Sequence, residues 1–234
     1  QDHERQDYPE AFVEKRGKTL DFKRVTLFTG HYGSGKTSLA VAWAKYLRTA
    51  KKAVAVYDLD IVNPYFRTAD HRRELEEDGI SLIASQFAGS NVDLPSLPAE
   101  LYAAVEDRHT CAVLDIGGDD RGAVALGRYV PSILDEDDYE MLFVVNFFRP
   151  LTRTPEHALG VLREVETACG MRATALVNNS NLGAETAARD VLDTQKKMDA
   201  LAGLCGLPVK MTSAARRLAG ALEGKAENLF YMDG

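Results

Sequence analysis

Hydrophobic and polar positions follow two rhythms along this chain. Short runs that are apolar nearly throughout, "RVTLFT", "AVAVYDL", "ISLIAS", "TCAVLDI", "MLFVVN", "ATALVNN" and "LPVKMT", read as strands. Between most of them lie "KTSLAVAWAKYLRTA", "RTADHRRELEED", "AELYAAVEDR", "EHALGVLREVETA" and "AETAARDVLDTQKKMDAL", whose apolar residues recur at helical spacing. Strands that are apolar on both faces belong inside a sheet covered on both sides, and strand–helix alternation supplies the cover. The predicted fold is therefore three-layer α/β, with a mostly parallel central sheet and helices on both faces. Gly79, Gly170 and Gly206 each stand between a helical pattern and a strand, where a left-handed helix cap is expected. Residues 1–18 are polar without a clear apolar period and read as a loosely held tail. Residues 19–234 read as one domain, because a 234-residue chain with 45% hydrophobic content can bury one sizeable core.

Within that pattern, one strand-to-helix junction carries chemistry. "GHYGSGKT", Gly30 to Thr37, fits G-x-x-x-x-G-K-[ST] in full, a match expected by chance on the order of 1% of the time in such a chain. Glycines at 30, 33 and 35 let backbone N–H groups come close to phosphates, and the helix that begins near Lys36 points its positive end at them. The candidate nucleotide-binding segment is Gly30, His31, Tyr32, Gly33, Ser34, Gly35, Lys36, Thr37 and Ser38. Lys36 is placed to bridge the β- and γ-phosphates, a catalytic role, and the Thr37 hydroxyl to complete the shell of a magnesium ion. Metal binding and hydrolysis also need carboxylates, and strand ends supply them. Asp115 closes "TCAVLD" and fits the acid that holds Mg2+ through water, followed by Gly117 and Gly118 as a mobile switch. Asp58 and Asp60 end the second strand and, two apart, point to one face. Asp60 is the candidate for metal and catalytic work, while Asp58 serves equally well to order the loop. Asp119 and Asp120 read as surface or capping residues.

Taken together, "GHYGSGKT", "VYDLDIVNPYF", "VLDIGGD" and "ALVNN" resemble the MinD/ParA-like group of P-loop ATPases, the branch that also holds the CobQ/CobB nucleotide-binding domains. The resemblance covers about residues 24 to 212. It implies a P-loop NTPase fold, ATP and Mg2+ as cofactors, and Asp60 as the acid that positions or activates the attacking water. It also implies an adenine-reading asparagine after the sixth strand, for which Asn178 stands first and Asn179 close behind; capping of the next turn is the other reading. An amide both donates to and accepts from a base edge, as a purine requires. "GLPV" at 206–209 offers a second segment to run along the base. Adenine is favoured over guanine because no N-K-x-D follows the strand: Asn178 is followed by Asn179, Ser180 and Asn181. The group's usual loop carries a signature lysine in its second position that reaches the other subunit of a dimer, and this chain has His31 there. Imidazole is shorter and only partly charged near neutral pH, so lysine-mediated activation across a dimer does not carry over. Homodimerisation stays open.

A net charge of −7 gives no overall basic footprint for nucleic acid or an anionic membrane, and the longest apolar runs are too short to span a bilayer. The expectation is a soluble, cytoplasmic protein. Cys111, Cys169 and Cys205 read as small buried hydrophobes. His3 belongs to the tail, while His71, His109 and His157 lack ligand spacing.

Three functions fit these residues. The first is an ATPase whose 60–68 and 115–122 segments order on ATP and act on an unidentified partner protein, with Tyr65 and Phe66 beyond Pro64 available for presentation. The second is a small-molecule kinase or ATP-dependent ligase of the CobB or dethiobiotin-synthetase sort, in which Arg149 and Arg153 hold an anionic acceptor or steady transferred phosphate, helix-entry salt bridges being the other reading. The third is a nucleotide sensor with little turnover.

Overall fold

A computed structural model describes residues 20–50, 52–59, 68–84, 107–117, 126–127 and 129–233. The tail 1–18, Asp60, the Pro64–Phe66 switch, residues 99–106 of the expected helix "AELYAAVEDR", Gly118, Asp119 and Asp120 lie outside the described residues.

Eight strands form one all-parallel sheet in the order β3-β2-β4-β1-β5-β6-β7-β8. They are β1 (Val25–Thr29), β2 (Ala53–Leu59), β3 (Ser81–Ala84), β4 (Thr110–Ile116), β5 (Tyr139–Val145), β6 (Ala175–Asn178), β7 (Val209–Ala215) and β8 (Leu229–Met232). The described helices are α1 (Lys36–Thr49), α2 (Thr68–Glu77), α3 (Val130–Glu136), α4 (Pro155–Cys169), α5 (Ala188–Cys205) and the short α6 (Ala219–Leu222). The seven strands expected from hydrophobic runs are all present. β8, α3 and the short α6 go beyond the sequence expectation.

The apolar character of the strands has the cause inferred for it, since all five residues of β1 are buried and the sheet separates two apolar layers. On one side Leu39, Trp43 and Leu47 of α1 pack with Phe28, Val113, Val144 and Phe230. The other side is filled by Leu27, Leu114, Ile133 and Met141, and further along by Phe143, Leu162, Leu176 and Met198. Trp43 fixes α1 in place: its ring is fully buried, lies 5.7 Å from Phe230, and its Nε1 donates to Thr26 Oγ1 at 3.2 Å. Thr26 Oγ1 in turn donates to Glu140 Oε1 at 3.2 Å, and Lys210 is ion-paired with Glu140. A polar chain therefore runs beneath α1 from β1 to β7, with its buried charges matched.

The helix stops are those expected: Gly170 and Gly206 take left-handed conformations at the ends of α4 and α5. Cys111 and Cys169 are buried thiols, pushed up in pKa by that burial, and Cys205 is half-buried. No described helix is long and apolar enough to cross a membrane.

Candidate functional site

Strand β1 lies between β4 and β5, whose neighbours run outward in opposite directions along the sheet. Such a switch point opens a crevice at the carboxyl ends of the strands. The Gly30–Thr37 loop leaves β1 there and enters α1. Gly35 takes the N-cap position of α1 with φ 88°, and no side chain caps the helix. Several N–H groups of the first turn are thereby left for a ligand, and no acid occupies that turn to repel an anion. α4 contrasts with it, since Thr154 Oγ1 accepts the His157 N–H at its start.

The glycines are required by space as well as by backbone angle. Gly30 has φ 141°, and a Cβ there would run into the Val144 carbonyl oxygen; a Cβ on Gly35 would collide with the Asn179 amide. Lys36, 7% exposed, donates from Nζ to His31 O at 3.2 Å across the loop. His31 is half-buried, its Nδ1 lies 2.9 Å from Tyr32 O, and Tyr32 is exposed. Ser38 is exposed on the first turn of α1, at the wall of the crevice. Ser34 is buried within the loop, and its Oγ has no hydrogen-bond partner among the described residues.

On the β4 side, Thr37 Oγ1 donates to Asp115 Oδ2 at 2.6 Å. Asp58 sits in register with Asp115 across β2 and β4, and both are 2% exposed. The structure thus brings together the hydroxyl and the acid that the sequence singled out, with a second buried carboxylate beside them. A hydroxyl plus a carboxylate, with water in the remaining positions, is a donor set suited to Mg2+, which keeps several waters and avoids all-protein cages.

On the β5 side, Arg149 Nε donates to Gly33 O at 3.0 Å. Arg153 is exposed and is not part of the crevice wall.

The asparagines after β6 part ways. Asn178 is turned inward: its Nδ2 donates to Thr194 Oγ1 of α5 at 3.1 Å, and its Oδ1 accepts Ser180 Oγ at 2.7 Å and Ser180 N at 3.2 Å. Asn179 faces the crevice and braces the phosphate loop. Its Nδ2 donates to Ser34 O at 2.7 Å, while its Oδ1 accepts the Ser213 hydroxyl of β7. "GLPV" lies elsewhere. Gly206 caps α5 and Val209 opens β7, at the amino end of a strand parallel to β1, so 206–209 is on the opposite edge of the sheet from the loop. The far wall is built instead by Ser213, Ala214 and Ala215 at the carboxyl end of β7, with Arg217, Met232 and Asp233. The sequence reading passed over this segment; sheet polarity was the signal that pointed to it. The whole crevice has a volume of about 670 Å³ and also takes in Lys45 of α1 and His71 and Glu74 of α2. Lys45 is ion-paired with Glu74, whose carboxyl is held below the usual range chiefly by that bond and further by His71.

This strand, glycine loop and helix, with an acid on the adjacent strand, define the class: the chain has the α/β fold of P-loop NTPases. Among solved structures it is similar to FtsY of Thermotoga maritima (TM-score 0.59, 17% identity, 82% of this chain and 61% of that one). It is similar as well to chloroplast FtsY of Physcomitrella patens (0.57, 16%, 85% and 60%). A third similar structure is the signal recognition particle 54 kDa protein of Aeropyrum pernix in complex with GDP (0.52, 16%, 83% and 42%). The chain spans less than two thirds of the length of each. No family profile and no curated protein matches it. The likeness agrees with the motif resemblance at the level of fold.

Proposed function

We propose that this protein binds a nucleoside triphosphate with Mg2+, hydrolyses it, and uses the segments that follow β2 and β4 to act on a partner protein. The observation that carries the reading is the uncapped amino end of α1, wrapped by a glycine loop that tolerates no Cβ at positions 30 and 35, with the Thr37–Asp115 pair beside it. In this reading the loop amides and Lys36 hold the β- and γ-phosphates, and Thr37 and Asp115 hold the ion. Bound Mg2+ would supply charge neutralisation at the phosphate oxygens. Asp60, beyond the described end of β2, positions the attacking water, and Asp58 stands next in line for that role.

ATP is the proposed nucleotide because Asn178-Asn179-Ser180-Asn181 replaces the N-K-x-D that would read guanine. GTP is the rival, since FtsY of Elizabethkingia anophelis and the Aeropyrum protein are both described in complex with GDP. With Asn178 held by Thr194 and Ser180, and Asn179 by Ser34 and Ser213, the base is read by the Ser213–Ala215 backbone. The acceptor-transfer alternative loses Arg153, which stands away from the crevice.

The test is phosphate release from ATP and from GTP, each with Mg2+, alone and with candidate partners, alongside a competition of the two for one fluorescent nucleotide. Release that rises on adding a partner supports the reading. ADP formation only with a small-molecule acceptor would replace it with a kinase, and exclusive binding of guanine nucleotides would overturn the choice of ATP.

A further inference from the structure

The phosphate chain has a cation on only one side if Thr37 and Asp115 alone accompany Lys36. A triphosphate carries about four negative charges near neutral pH, of which the terminal group holds nearly two. A divalent ion and the Lys36 ammonium offset three of these. β1 is flanked by β4, which brings the metal-side acid, and by β5, and it is the segment leaving β5 that brings a second permanent cation to the loop.

That cation is Arg149. Its Nε donates to Gly33 O, and its guanidinium lies beside Gly33, where an added Cβ would stand 3.5 Å from Nε and 3.8 Å from Cζ. The segment that presents it is tied down by hydrogen bonds. Arg149 N donates to Asn146 O at 3.0 Å, Thr152 Oγ1 donates to the same oxygen at 2.6 Å, and Asn146 Oδ1 accepts Phe148 N at 3.0 Å. Pro150 then opens a 3₁₀ turn. No carboxylate among the described residues is ion-paired with Arg149, although other exposed arginines, such as Arg73 and Arg189, have acidic partners. One N–H of its five is used on the loop, and a guanidinium presents the rest as a fork suited to phosphate oxygens.

We propose that Arg149 is a catalytic residue, a guanidinium supplied by the same chain that grips the polyphosphate from the β5 side. This rests on the nucleotide reading above. In the reaction, the water oxygen bonds to the γ-phosphorus while the bond from that phosphorus to the β–γ bridging oxygen breaks. The bridging oxygen leaves on the diphosphate with the electron pair, and the water's proton passes to solvent. Arg149 stabilises the negative charge that the phosphate oxygens carry through that displacement. Because the group comes in cis, hydrolysis per molecule does not depend on protein concentration.

The experiment measures single-turnover hydrolysis of Mg·ATP, and binding of ATP and of adenosine, for wild type, Arg149→Ala, Arg149→Lys and Lys36→Ala over a wide protein dilution. Arg149→Ala is expected to lose about 10- to 100-fold in rate or ATP affinity, the range of one charge-assisted contact. Its adenosine affinity stays the same, and Arg149→Lys recovers only part because the fork is gone. A general structural defect would instead weaken ATP and adenosine alike, which would overturn the proposal. So would an Arg149→Ala variant within about twofold of wild type while Lys36→Ala fails to bind; that outcome leaves the nucleotide reading standing. Wild type binding no Mg-nucleotide sinks both.

Discussion

Replacing Asn179 by alanine separates two roles for a residue that stands between the phosphate loop and the far end of the crevice. The side chain, 2% exposed, donates to Ser34 O at 2.7 Å and accepts the hydroxyl of Ser213. Ser34 and Ser213 are themselves 1% and 4% exposed, so truncation leaves a carbonyl and a hydroxyl with little access to water. A buried polar group stripped of its partner costs about 1–3 kcal/mol. Two such groups set an upper bound of about 6 kcal/mol, but Ser213 Oγ keeps Asn178 O at 3.3 Å as a second acceptor. The expected loss is therefore about 2–4 kcal/mol, read as a lower urea midpoint at unchanged m-value. The second arm compares ligands. A brace that shapes the loop affects everything the loop holds, so Asn179→Ala should weaken tripolyphosphate and ATP by a similar factor. A residue that reads only the base would weaken ATP and leave tripolyphosphate alone. Stability within about 0.5 kcal/mol of wild type would refute the burial argument, and a loss confined to ATP would return Asn179 to base reading.

Three further outcomes follow from the same geometry. Thr37→Val removes the hydroxyl bound to Asp115 at similar volume, so it should abolish the tightening of nucleotide binding by Mg2+ while leaving Mg-free binding within about threefold, measured by titration with and without chelator. Asp60→Ala should preserve ATP affinity and slow hydrolysis; normal turnover would move the water-positioning role to Asp58. Glu166 concerns stability against acid. Burial raises its carboxyl, but bonds from Arg163, the Ala173 N–H and Arg172 outweigh that and hold it below its ordinary 4.5. A carboxyl lowered by folding stabilises at pH above its unfolded value, and that contribution disappears as pH falls through the lower folded value. Glu166→Gln should therefore show a shallower fall in stability below pH 4.5 than wild type, by urea denaturation across pH.

The sheet was legible because its strands are buried on both faces and so appear as continuous apolar runs, each tied to a helix of clear period. β8 escaped notice because "LFYM" is a four-residue run after a polar stretch, too short to separate from a loop. α3 is seven residues with Pro131 in its first turn, too brief for periodicity to register. At the site, the loop glycines, Lys36, Thr37 and Asp115 were readable because their spacing encodes the local geometry. The pair Asn178–Asn179 was not. Successive residues at a strand end point to opposite faces, and nothing in "LVNN" fixes which amide turns toward α5 and which toward the loop. "GLPV" failed for a related reason: apolar residues before a strand look alike at either edge, and only the parallel arrangement sends 206–209 away from the phosphates.

The central claim is that the amino end of α1 and its glycine loop form a cradle for a polyphosphate tail accompanied by a divalent ion. Calorimetric titration of the protein with ATP and GTP, with and without Mg2+, tests it most directly. The account predicts one nucleotide per chain, tighter binding with Mg2+, and loss of that binding in Lys36→Ala. Absence of heat with either nucleotide in Mg2+ buffer, or full-affinity binding by Lys36→Ala, would contradict it.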